Sequence, residues 1–215
     1  MKRVLKRNLK TIIISSIVTI IPMLAGFVLW NKLPEKMPTH WNFEGEIDGW
    51  SSKPFAIICI PLIMLGFHLI CTIATSCDPK THNFNNKVFG IVLWVCPILS
   101  LLCMTATYAA ALGYDVKVEF IIPLFMGVLF LIIGNYLPKC KQNYTIGIKI
   151  PWTLNDEENW NKTHRLAGFI WTVGSIVIIV GAFFKDAVVY TTFIPIAVMV
   201  IVPMVYSYIY YRKHR

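Results

Sequence analysis

Charge is scarce in this sequence. Only 14% of its residues are Asp, Glu, Lys or Arg, against 56% that are hydrophobic. Several runs of roughly 20 residues contain none of the four, and ~18 such residues suffice for a helix to cross ~30 Å of hydrocarbon. An integral, helical membrane protein follows, because backbone groups in lipid must satisfy one another and a helix does so locally.

Other absences narrow the reading. Short alternating apolar and polar segments are missing, which excludes a transmembrane β-barrel. The six cysteines (Cys59, Cys71, Cys77, Cys96, Cys103 and Cys140) include no CxxC pair, and none lies in an outward loop. They read as small apolar thiols rather than a disulfide framework or a metal site. No internal repeat is strong enough to indicate an inverted-repeat transporter. Every Asp, Glu, Lys and Arg lies outside the spans or at their ends, so the buried acids of a proton pump and the counter-charges of an ion carrier are missing. His68 is the one ionisable group well inside a span; it reads as neutral and hydrogen-bonded to a neighbouring helix. A carrier of a neutral or lipidic substrate stays open as an alternative.

Six spans are predicted: Thr11–Trp30, Phe55–Thr75, Val88–Leu112, Phe120–Tyr136, Leu166–Phe184 and Val188–Tyr211. The basic start MKRVLKRNLK resembles a signal peptide, but the apolar run behind it is longer than a ~7–15-residue signal core. It is expected to remain as the first helix. Of the 20 Lys and Arg, 15 fall at the termini or in the even-numbered connections and 5 in the others. The positive-inside rule then puts both termini in the cytoplasm. The net charge of +9 is thereby a feature of topology, and no basic face of a soluble domain is left for nucleic acid.

Two connections are long. The outer one, Asn31–Pro54, reads NKLPEKMPTHWNFEGEIDGWSSKP and carries a net charge of −1. Pro34 and Pro38 oppose helix, and Gly45 and Gly49 supply turns. Trp41, Phe43 and Trp50 stand among His40, Glu44, Glu46 and Asp48. One reading is an interfacial cap with the tryptophans at the headgroups. The other is a binding surface for a partner arriving from outside, with a bias toward a cationic one. The spacing of His40, Glu44, Glu46 and Asp48 matches no standard metal motif. Ser51 and Ser52 are near His40 only in sequence, so no catalysis is expected.

The inner connection runs from Leu137 to Arg165. Asn135 and Tyr136 close the fourth span and Pro138 stops it. Gly147 and Pro151 bracket the extended stretch IGIKIPW. Thr153-Leu-Asn-Asp156 reads as a capping box with Asp in place of Glu, and a helix is expected from near Asn155. Asp156, Glu157 and Glu158 fall where the helix dipole favours acids. Trp160 and His164 share a face of that helix, with Arg165 adjacent. An amphipathic segment is expected to lie at the cytoplasmic interface, anchored by Trp152 and Trp160. It serves either as a docking surface or lid, or as a headgroup collar in which Lys149 and Arg165 hold phosphates. The Ser76–Lys87 link reads as a plain connector. The sequons at Asn143 and Asn161 face the cytoplasm in this topology, so glycosylation is not expected.

The inner segment Gly134-Asn135-Tyr136-x-Pro138, Asn143, Gly147-Ile-Lys149-x-Pro151-Trp152-Thr153, Trp160 and His164-Arg165, followed by Gly168, resembles the SdpI family of bacterial immunity proteins. The outer segment Leu33-Pro34, Pro38-x-His40-Trp41-Asn42, Gly45 and Asp48-Gly-Trp50 looks like the unnamed membrane domain that commonly precedes it. Lys149 stands where family members usually carry Arg; it keeps the charge but loses the bidentate fork.

The resemblance implies an all-α, six-span protein of the bacterial cytoplasmic membrane with both termini inside. An N-terminal membrane domain over 1–80 holds the extracellular loop 31–54. An SdpI-like domain over 81–215 holds the cytoplasmic loop 137–165. It further implies immunity against a secreted, membrane-active killing peptide and sequestration of a cytoplasmic transcriptional repressor, with membrane lipid as surroundings and no cofactor. His40, Trp41, Asn42, Gly45, Asp48 and Trp50 are then the expected toxin contacts. Asn135, Pro138, Asn143, Gly147, Lys149, Pro151, Trp152, Thr153, Trp160, His164 and Arg165 are the expected docking or gating set.

Overall fold

The computed structural model describes residues 2–80 and 86–214. Part of the Ser76–Lys87 link and Arg215, one of the cations counted above, lie outside the described residues. Among the described residues, six helices are long and apolar enough to cross a membrane. They are α1 (Lys2–Val28), α2 (Ile60–Ser76, led in by a π-helical turn Phe55–Cys59), α3 (Asn86–Ala111), α4 (Val118–Tyr136), α6 (Glu157–Gly181) and α7 (Val188–Lys213). A one-turn helix, α5 (Pro151–Leu154), lies between α4 and α6. The expected spans fall on these six long helices.

Two features differ from expectation. The outer connection, for which no strand was expected, holds an antiparallel hairpin of Lys36–Trp41 (β1) and Ile47–Ser52 (β2). Neither KMPTHW nor IDGWSS has strand composition, since Pro, Gly and Asp are all poor strand formers. The turn is made by Asn42, whose Oδ1 accepts the backbone N–H of Glu44 at 3.1 Å and of Glu46 at 2.8 Å. This is the local side-chain-to-backbone bonding that makes Asn a turn residue. The second difference concerns the amphipathic segment. It does not lie apart from the fifth span, because Glu157 to Gly181 is one continuous helix.

The residues sort inside-out relative to a soluble protein. On α6, Phe169, Val173, Ile176 and Val180 are exposed, and on α7 Ile194, Val198, Ile201, Val205 and Ile209. Their spacing of three and four marks one helix face. Small hydroxyl residues such as Ser15, Thr19, Ser100, Ser175 and Ser207 are buried instead. In lipid the apolar effect does not favour helix contact, so small and polar groups make the interfaces.

The chain divides into two compact units. The first comprises residues 1–77 and 89–118, the second 78–88 and 119–215. In the first, α1 is bonded by its neighbours along one face. His68 Nε2 lies 3.0 Å from Ser15 Oγ, Ser100 donates to the Thr19 carbonyl at 2.8 Å, and Tyr108 donates to the Pro22 carbonyl at 2.8 Å. A cluster of Leu33, Met37, Ala56, Ile57, Met104 and Tyr108 packs beneath the hairpin.

In the second unit, Asn159 of α6 donates to the Ser207 carbonyl of α7 at 3.0 Å and accepts from the Ser207 hydroxyl at 2.8 Å. Trp171 Nε1 donates to the Met199 carbonyl at 3.0 Å. Gly134 lies so close to Trp171 and Thr172 that a Cβ there would meet both, and Gly168 is pressed likewise on Pro138. That close crossing of α4 and α6 fixes where the inner loop leaves and re-enters the helices.

Candidate functional site

The hairpin is rooted by a buried cation. Lys53 Nζ pairs with Glu35 at 2.8 Å, donates to the Trp30 carbonyl at 3.3 Å and sits 5.4 Å from the centre of the Trp30 ring. Three partners offset the cost of burying an ammonium group. Above this root, β1 and β2 pair Lys36 with Ser52, Met37 with Ser51 and Pro38 with Trp50, and an irregularity follows at Thr39–His40.

Met37 is fully buried, whereas Trp50 is 56% and Phe43 67% exposed. His40 and Asp48 meet across the strands, Nδ1 to Oδ1 at 2.5 Å, in the open. Gly45 takes φ +88° in the turn, and Asn42 Nδ2 donates to Glu46 at 3.2 Å. Trp41 is half-buried opposite Ile47. The arrangement presents a rigid, aromatic, mildly acidic face. Among the described residues no three metal-ligating side chains come together.

The inner loop is a folded object, and its middle is Asn143. This side chain is fully buried. Its Oδ1 accepts the N–H of Thr145 at 2.9 Å and of Ile146 at 2.6 Å. Its Nδ2 donates to the carbonyls of Lys141 and Ile146, both at 2.9 Å. Trp160, also fully buried, donates Nε1–H to the Cys140 carbonyl at 2.7 Å and packs with Val88 and Cys140. His164 stacks on Trp160 with ring centres 4.0 Å apart. Its Nε2 accepts Ile148 N–H at 2.9 Å and its Nδ1 lies 2.8 Å from the Trp160 carbonyl. The loop passes over these rings at Gly147, φ +113°, where a Cβ would strike His164.

Burial governs Cys140. It pushes the thiol up to about 11, opposed by the Asn143 amide that donates to the sulfur.

Three readings of this region are corrected. Trp160 is not an interfacial anchor, because it has no exposed surface. Thr153 does not cap α6. The N-cap is Asp156, which accepts from Glu158 N–H at 2.8 Å and Asn159 N–H at 3.1 Å. Thr153 is buried and bonds backward, donating to the Ile148 carbonyl at 2.7 Å and accepting Ile150 N–H at 3.2 Å. The link between α2 and α3 is not a plain connector. Asp78 Oδ2 accepts Tyr144 N–H at 2.8 Å and the Thr145 hydroxyl at 2.9 Å, and Oδ1 accepts Lys80 N–H at 2.7 Å. Lys80 donates to Gln142, which in turn holds the carbonyls of Thr153 and Leu154 at 2.9 and 3.0 Å.

The inner motif therefore splits in two. Asn143, Thr153, Trp160 and His164 are interior, and Gly147 is shaped by them. Asn135, Pro138, Lys149, Pro151 and Arg165 are exposed. Trp152 is half-buried, edge-on to Tyr208 at 5.1 Å. The contact between Ile148 and His164 places the exposed Lys149 and Arg165 one residue either side of a shared bond. Asp78, Lys80, Gln142 and Asn159 were not singled out in the sequence. The available signal was an acid at the end of a long apolar run and polar residues flanking the motif.

A multi-pass helical membrane protein, with a folded hairpin in one connection and a hydrogen-bonded loop in another, is the class these features define. Comparison with known proteins refines it. Residues 139–207 match the SdpI/YfhL protein family, and residues 17–65 match a domain of unknown function (DUF1648). The chain is 30% identical over 206 residues to the immunity protein SdpI of Bacillus subtilis (strain 168), covering 95% of this chain and 98% of that protein. The chain belongs to the SdpI family. No solved structure matches it.

Proposed function

We propose that this protein confers immunity on its host against a secreted, membrane-active peptide. The observation that carries the reading is the end-to-end similarity to an immunity protein. The distribution of Lys and Arg supports an orientation with the hairpin outside and the inner loop in the cytoplasm. On that orientation the exposed Trp50 and the His40–Asp48 pair meet the peptide, with Trp41, Asn42 and Gly45 shaping the surface. Exposed Trp beside fixed polar groups suits recognition, since it buries large area with few rotamers to freeze.

The inner loop holds a cytoplasmic partner through Lys149, Arg165, Pro151 and Trp152, and the buried Asn143–Trp160–His164 group keeps those side chains in place. A transcriptional repressor is the partner proposed. The test is protection of a sensitive bacterium by the wild-type chain and by Trp41→Ala and Asp48→Ala variants. Loss of protection at unchanged membrane levels is expected. Survival of both variants at normal levels contradicts the outer-surface assignment.

A further inference from the structure

The two edges of the hairpin are not equivalent. Lys53 N–H donates to the Glu35 carbonyl at 2.9 Å, which fixes the hydrogen-bonding phase at the root of the ladder. With Lys36 opposite Ser52, Met37 opposite Ser51 and Pro38 opposite Trp50, the bonded pairs are 35/53 and 37/51. The pairs 36/52 and 38/50 are the non-bonded ones, whose N–H and C=O groups turn away from the partner strand.

On the β1 edge the outward position nearest the irregularity is Pro38, which has no N–H to offer. On the β2 edge the outward N–H groups of Trp50 and Ser52 are both present. The sheet contains only these two strands, so among the described residues no third strand covers that edge. Proline on an edge is a common way to prevent strand addition, and a free edge is a template for it.

We infer that β2 is a docking edge, and that the secreted peptide adds to it as an extended third strand. This rests on the immunity reading above and specifies how the contact is made. The backbone of Trp50 and Ser52 supplies a strand-like donor and acceptor pattern that only an extended chain matches. An open cleft of ≈ 490 Å³ lined by Glu35, Lys36, Trp50, Ser51 and Ser52 takes one apolar side chain of that strand against the Trp50 ring. Glu44, Glu46 and Asp48 at the turn favour a cationic residue at the peptide end that lies there.

The test exploits the outward N–H. Ser52→Pro removes it without removing a ladder bond, while Ser52→Ala keeps it and is the same-position reference. Full-length variants are expressed at equal membrane levels in a sensitive bacterium. The challenge is the killing peptide secreted by the Bacillus subtilis strain that carries the related immunity protein. The expected result is a drop of about tenfold in the dose survived for Ser52→Pro, the loss of one hydrogen bond with its partner stranded. That drop is read against Ser52→Ala, which changes the same side chain but retains the outward N–H.

Amide exchange on the wild-type protein in nanodiscs is the second measurement, and it covers the case of a misfolded proline variant. Peptide is expected to slow the amides of Trp50 and Ser52. Unchanged exchange there, or full protection by Ser52→Pro, overturns strand addition. Protection lost in Trp50→Ala alongside either result leaves the immunity reading standing with side-chain contact only. Absence of protection by the wild-type chain removes that reading, and this inference with it.

Discussion

His164 holds the backbone of Ile148. Its Nε2 accepts that N–H at 2.9 Å, while Nδ1 lies 2.8 Å from the Trp160 carbonyl. One partner is a donor and the other an acceptor, so the neutral ring protonated on Nδ1 satisfies both. A doubly protonated ring would turn a proton toward the Ile148 N–H. The residue is thus a fixed peg between α6 and the loop, and the motif around it is mostly a scaffold that aims Lys149 and Arg165 outward.

Gly147→Ala should damage this scaffold more than its size suggests. The position needs φ +113°, and the added carbon meets the His164 ring. Strain of this kind costs about 1–3 kcal/mol. Thermal unfolding in detergent followed by Trp fluorescence should show a lower midpoint. A midpoint equal to wild type would mean the loop does not pass over His164 as described.

Cys140 is a reporter of the same packing. Its thiol, held at about 11 by burial, presents little thiolate at neutral pH. Maleimide at pH 7.5 should therefore label it at least about 100-fold more slowly than an ordinary exposed thiol. Cys77, which is exposed, serves as the comparison. Raising the pH toward 11 should speed labelling, since the thiolate fraction grows as the folded-state value is approached. In Gly147→Ala the difference from Cys77 should shrink.

Asp78→Asn should loosen the loop from the other side. The carboxylate accepts from Lys80 N–H, Tyr144 N–H and the Thr145 hydroxyl, and an amide has only one oxygen to replace it. Stranding one buried donor costs about 1–3 kcal/mol. Exchange of the Tyr144 amide should accelerate accordingly, and rates equal to wild type would contradict the clasp.

His40→Ala and Asp48→Ala should leave stability nearly untouched. Their side chains are 71% and 46% exposed, and exposed ion pairs contribute about 0–1 kcal/mol. A changed unfolding midpoint would assign the pair a structural role. An unchanged midpoint with lost protection is the outcome expected of a contact surface.

The helices were legible because twenty uncharged residues in a row leave the chain few alternatives. The hairpin was not, because its strands carry Pro38, Asp48 and Gly49 and are held by Asn42 and Lys53 rather than by strand propensity. The inner motif could be seen in sequence, but its division into interior and surface could not. Trp160 and Trp152 look alike on paper, and only the fold puts one beneath Cys140 and the other beside Tyr208. Asp78 was hidden for a different reason. Its partners Tyr144 and Thr145 are 66 and 67 positions away, and a lone acid in a turn gives no local sign of them. The capping residue was misassigned by one helical turn because Thr153 and Asp156 are both good caps, and Thr153 is the third residue of the short α5, where it accepts the Ile150 N–H.

The most direct test of this account is survival and membrane potential of a sensitive bacterium expressing the full chain, measured across doses of the secreted peptide. The account predicts survival with the potential maintained at doses that depolarise and kill cells without the protein. Depolarisation and death at the same dose in both, with the protein confirmed in the membrane, would contradict it.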